Sequence, residues 1–421
     1  MADYDDAFGL ALWDDRGTFQ STRAKRAAKD IPSLMRGVVW PDEPYEPPPL
    51  PEYLHGPVAF DFETEDPQLN IRGPSWAFPG VGKILGLAIA WGDPHGQYSA
   101  YYALDHETNN YRYPASVKNW FCHHWHDPNI IWVGANTQYD IGWAYRDITH
   151  KYSRGACVDV AHMSALLWEY HFSYSLEAIG QRELGEGKEV SVIKRLIEEC
   201  GLTKSEVMQH FKYIPGNVAA PYGATDALRT LQCYYKMLPR IEQENLRPVF
   251  DLESGLLPMC TEMRRKGVRV DIEKAEVLKA ECEAEALEVK AAIKKECGVS
   301  VEPWEGETYK RALKTIKIEV GDTLDANFLK QHVKKPLVGK LLRLRKLDKM
   351  SGTFLAGHFL GHHWEGRLHP TVNQLRGESE DGGIGTVTGR FSITGPGLQQ
   401  LPIRDPEWGE KIRGLVLPED G

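Results

Sequence analysis

No apolar run in the 421-residue chain reaches the ~18 residues of a membrane-spanning helix, so a helical membrane protein is excluded on sequence grounds. Cysteine is scarce. The seven (122, 157, 200, 233, 260, 282, 297) are odd in number, scattered, and form no CxxC pair, which argues against a zinc site and against a disulfide framework. They fit reduced thiols in a cytosolic compartment. Positive charge is also short: 50 Lys and Arg face 59 Asp and Glu, a formal net charge of -9. A polyanion would have to be met by local basic patches rather than by the surface as a whole. The acidic opening MADYDDAFG resembles neither a signal peptide nor an Arg-rich transit sequence, so a cytoplasmic protein is expected. No internal repeat is visible.

What is present describes a folded chain of two or three domains, with 42% hydrophobic and 26% charged residues. Residues 1–55 form an arm: a basic cluster, STRAKRAAKD, precedes six prolines between Pro41 and Pro51. The proline stretch reads as an extended, semi-rigid spacer, and the arm as a loosely draped tail. From Gly56 the pattern becomes α/β. PVAFDFET, KILGLAIAWG and QYSAYYALD read as three successive strands, followed by NIIWVGAN and ACVDV alternating with helices. That order predicts a mixed sheet. Helices then dominate to about residue 267. A long charged helix is predicted over 271–300 and another near 335–350, with strand-like RLHPTVNQL and GTVTGRFSI beyond.

The chemistry lies in acids. In FDFET, Asp61 and Glu63 are two apart on a strand, so both carboxylates face one side. Buried there, they call for something positive. In GANTQYD, Asn136 and Asp140 are four apart across a strand end and a first helical turn. In YGATDALRTL, Tyr222 and Asp226 are four apart on one helix face. Four acids from three separate elements suit two hard divalent cations, Mg²⁺ or Mn²⁺, which can clamp an in-line displacement at phosphorus. Other polar groups read as ordinary structure. His123, His124 and His126 belong to a solvated helix end, Arg182 and Lys188 to surface charge, and Trp120, Trp125, Trp132 and Trp143 to the core.

The acids in this order resemble the DnaQ-like, RNase H-like 3′→5′ exonucleases. The match covers about residues 56–245 and includes CVDVAHMSALLWEY and SYSLEAIGQRELG. Tyr222 indicates the tyrosine subtype, because the position where the other subtype carries histidine is Pro221. The resemblance implies that Asp61, Glu63 and Asp226 hold one metal, that Asp61 and water-linked Asp140 serve a second, and that Tyr222 orients the attacking water. Thr64 and Asn136 match positions that touch the terminal nucleotide or steady the site.

The second half resembles family A DNA polymerases, relatives of bacterial DNA polymerase I, through LESGLLPMCTEMRRKGVRVD, KKPLVGKLLRLRKLDKMSGTFL and RLHPTVNQLRGESEDGGIGTVTGRFSITGPGLQQLPIR. Across 331–350, seven Lys or Arg stand against one acid, Asp348. Lys340, Arg343, Lys346 and Lys349 could form a flank for duplex phosphates. Arg390, in the TGR motif, matches an arginine near the primer terminus that reads the minor groove.

The expected organisation is an RNase H-like exonuclease domain (56–246), a mainly helical thumb (247–360) and the first part of a palm (361–421). No later polymerase acid motifs or fingers helix occur in this sequence. The expectation is therefore a proofreading subunit of a split family A polymerase, an arrangement resembling bacteriophage genome habits, whose location would be host cytoplasm. DNA and a second polypeptide with the remaining palm and fingers would be its partners. Two other readings stand beside it: a DNA-gripping assembly module whose exonuclease is silent until that partner binds, and a fragment of a longer polymerase.

Overall fold

The computed structural model describes residues 11–13, 19–21, 29–41, 43, 46–171, 173–320, 324–375 and 388–419. Most of the basic cluster in the arm, the segment 376–387 and the last two residues lie outside them. Near the N-terminus β1 (Ala11–Trp13) and β2 (Phe19–Ser21) pair antiparallel, and α1 (Ile31–Arg36) is capped by Asp30.

Five strands form the main sheet: β3 (Gly56–Glu65), β4 (Lys83–Asp93), β5 (Gly96–Ala103), β6 (Ile130–Gly134) and β7 (Cys157–Asp159). Their spatial order is β5-β4-β3-β6-β7. The first three pair antiparallel, whereas β3, β6 and β7 run parallel. The mixed sheet predicted from the strand and helix order is thus observed.

Strand alternation sorts β3 between two cores. Val58, Phe60 and Phe62 pack under α2 (Pro114–Trp125) and α3 (Thr137–Ala144), with Trp125, Trp132 and Trp143 fully buried beside them. Ala59, Asp61 and Glu63 face the opposite way. That side is covered by α4 (Val160–Leu167), α5 (Leu176–Leu184), α6 (Ser191–Cys200) and α8 (Gly216–Gln243), α7 (Lys204–Gln209) lying at its margin. Small residues let α8 come close: at Gly223 and at Gly86 of β4 an added Cβ would collide with the Tyr101 ring. This close approach carries Tyr222 and Asp226 down onto β3.

The arm corrects its expectation. Rather than a loose tail, the described residues between 29 and 55 are a strap fastened to the sheet domain. Met35 is fully buried in the α8-side core, and Arg36 pairs with Glu107 at 2.8 Å. The prolines lack donors, but their carbonyls accept: Pro48 from Tyr102 Oη at 3.1 Å and Pro51 from Trp120 Nε1 at 2.7 Å. Composition foretold the extended backbone but not the partners.

Beyond the sheet domain, α9 (Arg247–Lys266) leads to β8 (Val268–Arg269) and the long α10 (Ile272–Cys297), which Asp271 caps and Gly298 ends with φ +73°. α10 packs along α13 (Pro336–Asp348) and a π-helical continuation, Lys349–Leu360. α11 (Gly306–Thr315) and α12 (Ala326–Gln331) close the far end around Tyr309, Leu313, Leu329 and Leu341. The chain returns through β9 (Arg367–Leu368), paired with β8, then β10 (Thr371–Asn373) and β11 (Ser392–Thr394), paired with each other. α14 (Trp408–Arg413) packs back on α10. No described helix is long and apolar enough to cross a membrane.

Candidate active site

β3 brings Asp61 and Glu63 to the face that α8 covers, and α8 presents Asp226 to them. One carboxylate oxygen from each of the three lies within 4.8 Å of the others. Glu63 and Asp226 are buried and Asp61 opens onto a cleft. The pairing of β3 with β4 slips between Glu63 and Thr64, a bulge that ends the run of site residues on this face. Asp140 sits in the first turn of α3, buried, and its Oδ1 accepts from the Phe62 N–H at 2.9 Å. It braces β3 between the two acids rather than joining the three-carboxylate cluster.

The electrostatics follow from burial and crowding. Desolvation raises the Asp61 carboxyl, and Lys188 only partly opposes it. Glu63 is raised well above the usual carboxylate range by burial and then by Asp61 and Asp226. Asp140 is raised similarly, by burial and then by Asp61. Asp226 is pushed up to about 6 by burial, against the pull of Lys188. Buried like charges of this kind are relieved by a cation. The donor set fits a hard divalent ion: all oxygen, convergent, and with Asp226 Oδ1 buried yet accepting no hydrogen bond among the described residues.

Tyr222 is one turn before Asp226, buried against Phe211 at 5.6 Å between ring centroids. It lines the cleft, a space of about 780 Å³ walled by the sheet domain on one side and by β10, β11 and Gln374 on the other. Asn136 caps α3 in the left-handed conformation (φ 67°), which Asn tolerates, and lies exposed on the cleft wall. Thr64 does not open onto the cleft; its Oγ1 is 2.6 Å from Tyr139 Oη, which donates to Asp66.

The basic flank is occupied from within. Arg343 clasps both Glu285 and Glu407, Lys346 reaches Asp405 and Glu407 at 3.0 and 3.1 Å, and Lys340 pairs with Glu296. Lys349 lies 5.7 Å over the Phe354 ring. Phosphates would have to compete with these acids. Arg390 is exposed just before β11, after Gly389 (φ 69°). The solvated helix end expected for the α2 histidines holds for exposed His123, whereas His124 is buried; His124 and His126 meet the carbonyls of Trp120 and Cys122.

Sequence reasoning missed three residues. Lys188, read as surface charge, reaches into the cluster: its Nζ bonds Asp226 Oδ2 and lies 5.4 Å over the Tyr222 ring. His162 is buried on the cleft with Nδ1 lacking a partner among the described residues. Tyr139 ties Thr64 to Asp66. A lysine in GEGKEV carries no spacing signal, and only the fold brings it 38 residues along the chain to Asp226.

Known proteins with similar sequences bear on this geometry. Residues 275–421 match DNA polymerase family A. The matched region begins within α10 and runs to residue 421. Relatives extend further toward the N-terminus. A DNA-directed DNA polymerase of Pseudomonas phage M6 is 30% identical over 382 residues, 86% of this chain and 55% of the relative. DNA polymerase DpoZ of Salmonella phage PMBT28 is 30% identical over 361 residues, 80% of this chain and 56% of the relative. The chain thus spans about half the length of these relatives. Among solved structures, the POL domain of Pol1 from M. smegmatis, in complex with DNA primer-template and dNTP, aligns with a TM-score of 0.61 at 19% identity. It covers 81% of this chain and 53% of that one, and the likeness is one of fold.

Proposed function

We propose that residues 56–246 form a metal-dependent 3′→5′ exonuclease with an RNase H-like sheet, and that residues 247–421 grip primer-template DNA as the thumb and first palm segment of a family A polymerase. The observation that carries the reading is the convergence of Asp61, Glu63 and Asp226 within 4.8 Å beside Tyr222 at the floor of a cleft. The cleft volume of about 780 Å³ supports entry of a strand end rather than of a duplex. Polymerisation lies outside the proposal, because the chain spans about half the length of the polymerases it resembles.

Asp61, Glu63 and Asp226 would hold one Mg²⁺ or Mn²⁺, and Asp61, with Asp140 linked through water, would serve a second. Bound there, the ions supply Lewis-acid charge at the scissile phosphate. The Tyr222 hydroxyl, fixed by the burial of its ring against Phe211, holds the attacking water in line. Asp140 keeps Asp61 and Glu63 in register through the Phe62 N–H. Asn136, exposed on the cleft, faces the terminal nucleotide.

The test is release of nucleotides from a 5′-labelled single strand by the purified chain. A ladder shortening from the 3′ end in Mg²⁺ or Mn²⁺, and abolished in Asp61→Ala, is expected. A chain inert on 3′ ends in both ions overturns the reading.

A further inference from the structure

We propose that Lys188 is a tethered cation that occupies the carboxylate cluster until a divalent ion displaces it, and that it thereby sets the affinity of the site for that ion. The inference rests on the metal-binding part of the function proposed above.

Lys188 sits in the GEGKEV loop between α5 and α6. Its backbone is drawn inward, the Lys188 N–H donating to a Glu177 carboxylate oxygen. Gly187 packs so closely on Glu177 and Gln181 that a Cβ there would collide with both. With the loop held to α5, the four-carbon stem reaches across the cleft to Asp226 Oδ2 and lays the ammonium over Tyr222. Its side chain is 24% exposed and that of Asp226 is 1% exposed, so the charge is largely withdrawn from water. Arg229, which also acts on Asp226, reaches Glu186 at 3.3 Å through Nη2, and its buried Nη1 has no partner among the described residues.

A buried lysine among carboxylates is a rational partner for one of them. Here the Lys188 charge acts on Asp61, Glu63 and Asp226 together, and leaves Asp226 Oδ1 without a partner among the described residues. A divalent ion brings twice the charge to the same oxygens and repels the ammonium. The two cations therefore compete, and by linkage each weakens the other by the same factor. Lysine suits this role because its charge sits on a flexible stem that can leave without disturbing the backbone. Without an ion, the same lysine neutralises part of a cluster that would otherwise repel itself.

Two measurements test this on the full chain. Mn²⁺ binding is followed by titration calorimetry in wild type, Lys188→Met, Lys188→Arg and Asp226→Asn. Lys188→Met is expected to bind Mn²⁺ roughly tenfold more tightly or better, with Lys188→Arg close to wild type and Asp226→Asn impaired. Separately, amine acetylation of wild type is read by mass spectrometry. Labelling of Lys188 should rise severalfold on adding Mn²⁺, while exposed Lys294 on α10 stays constant. Wild-type binding that Asp226→Asn abolishes, with no gain in Lys188→Met, overturns this inference and leaves the exonuclease reading intact. Absence of Mn²⁺ binding in both wild type and Lys188→Met overturns both. If Lys188→Met does not fold, the labelling decides, and labelling unchanged by Mn²⁺ at saturation overturns the competition.

Discussion

Tyr222 and Asp226 show how one helical turn divides the labour of the site. Asp226 offers charge: buried, with one oxygen on Lys188 and the other unpartnered among the described residues, it is poised to ligate. Tyr222 offers a hydroxyl held by its ring, with its acidity suppressed by burial and by Glu63, so that it stays protonated and can hydrogen-bond. Tyr222→Phe removes that one atom. Under the proposed function the cleavage rate should fall on the order of 100-fold while Mn²⁺ affinity stays at the wild-type value. A rate unchanged in single-turnover assays would remove Tyr222 from water positioning. The spacing of Asp61 and Glu63 on a strand, and of Tyr222 and Asp226 on a helix, was legible because both periodicities are local. Lys188 and Tyr139 were not, since their partners lie far along the chain.

At the scale of elements, α13 and the segment before α14 show how a motif acquires a different neighbourhood in the fold. The basic flank of α13 is clear in sequence, but Glu285, Asp405 and Glu407 come from elements before and after it. If the flank serves phosphates, these acids screen it. Glu407→Gln should then tighten binding of duplex DNA and steepen its salt dependence, measured by fluorescence anisotropy at two or more ionic strengths. Equal affinity and slope would assign Arg343 and Lys346 to holding α13 against the C-terminal segment alone. His106 offers a second test. It follows β5, its Nε2 meeting Tyr101 Oη and its Nδ1 the Ile214 carbonyl, both at 2.7 Å. Burial lowers it from 6.5 to about 4. Between those values the unfolded chain binds a proton that the fold refuses. The contribution of this group is complete above about 6.5 and is lost as pH falls toward about 4, on the order of 3 kcal/mol. His106→Gln should flatten that part of the pH–stability curve, read by denaturant midpoints.

At the scale of the molecule, Arg264 joins the sheet domain to the helical half. Fully buried on α9, it donates to the carbonyls of Arg72 and Pro74 at 3.0 Å, to Thr371 Oγ1 at 3.0 Å and to the His369 carbonyl. It lies over Trp76 and Phe78, and burial lowers it to about 10. These bonds hold β10 where it can wall the cleft. Arg264→Met strands the four acceptors and should cost on the order of 3 kcal/mol. The expected sign is an earlier calorimetric transition, split in two as the sheet domain and the helical half part company. A single transition at the wild-type temperature would show that other contacts suffice.

The sequence by itself determined the mixed sheet, the long helices over 271–300 and near 335–350, and the local spacing of four acids, because strand alternation, helical spacing and turn residues act over a few positions. Tertiary structure alone decided what those acids meet. The closeness of α8 to β3 depends on Gly86 and Gly223 giving way to Tyr101. The cation on Asp226, the acids on α13, the docking of the proline strap and the cleft wall from β10 and β11 all join residues remote in the chain. Charge and packing, which act through space, choose such partners, and no local pattern encodes them.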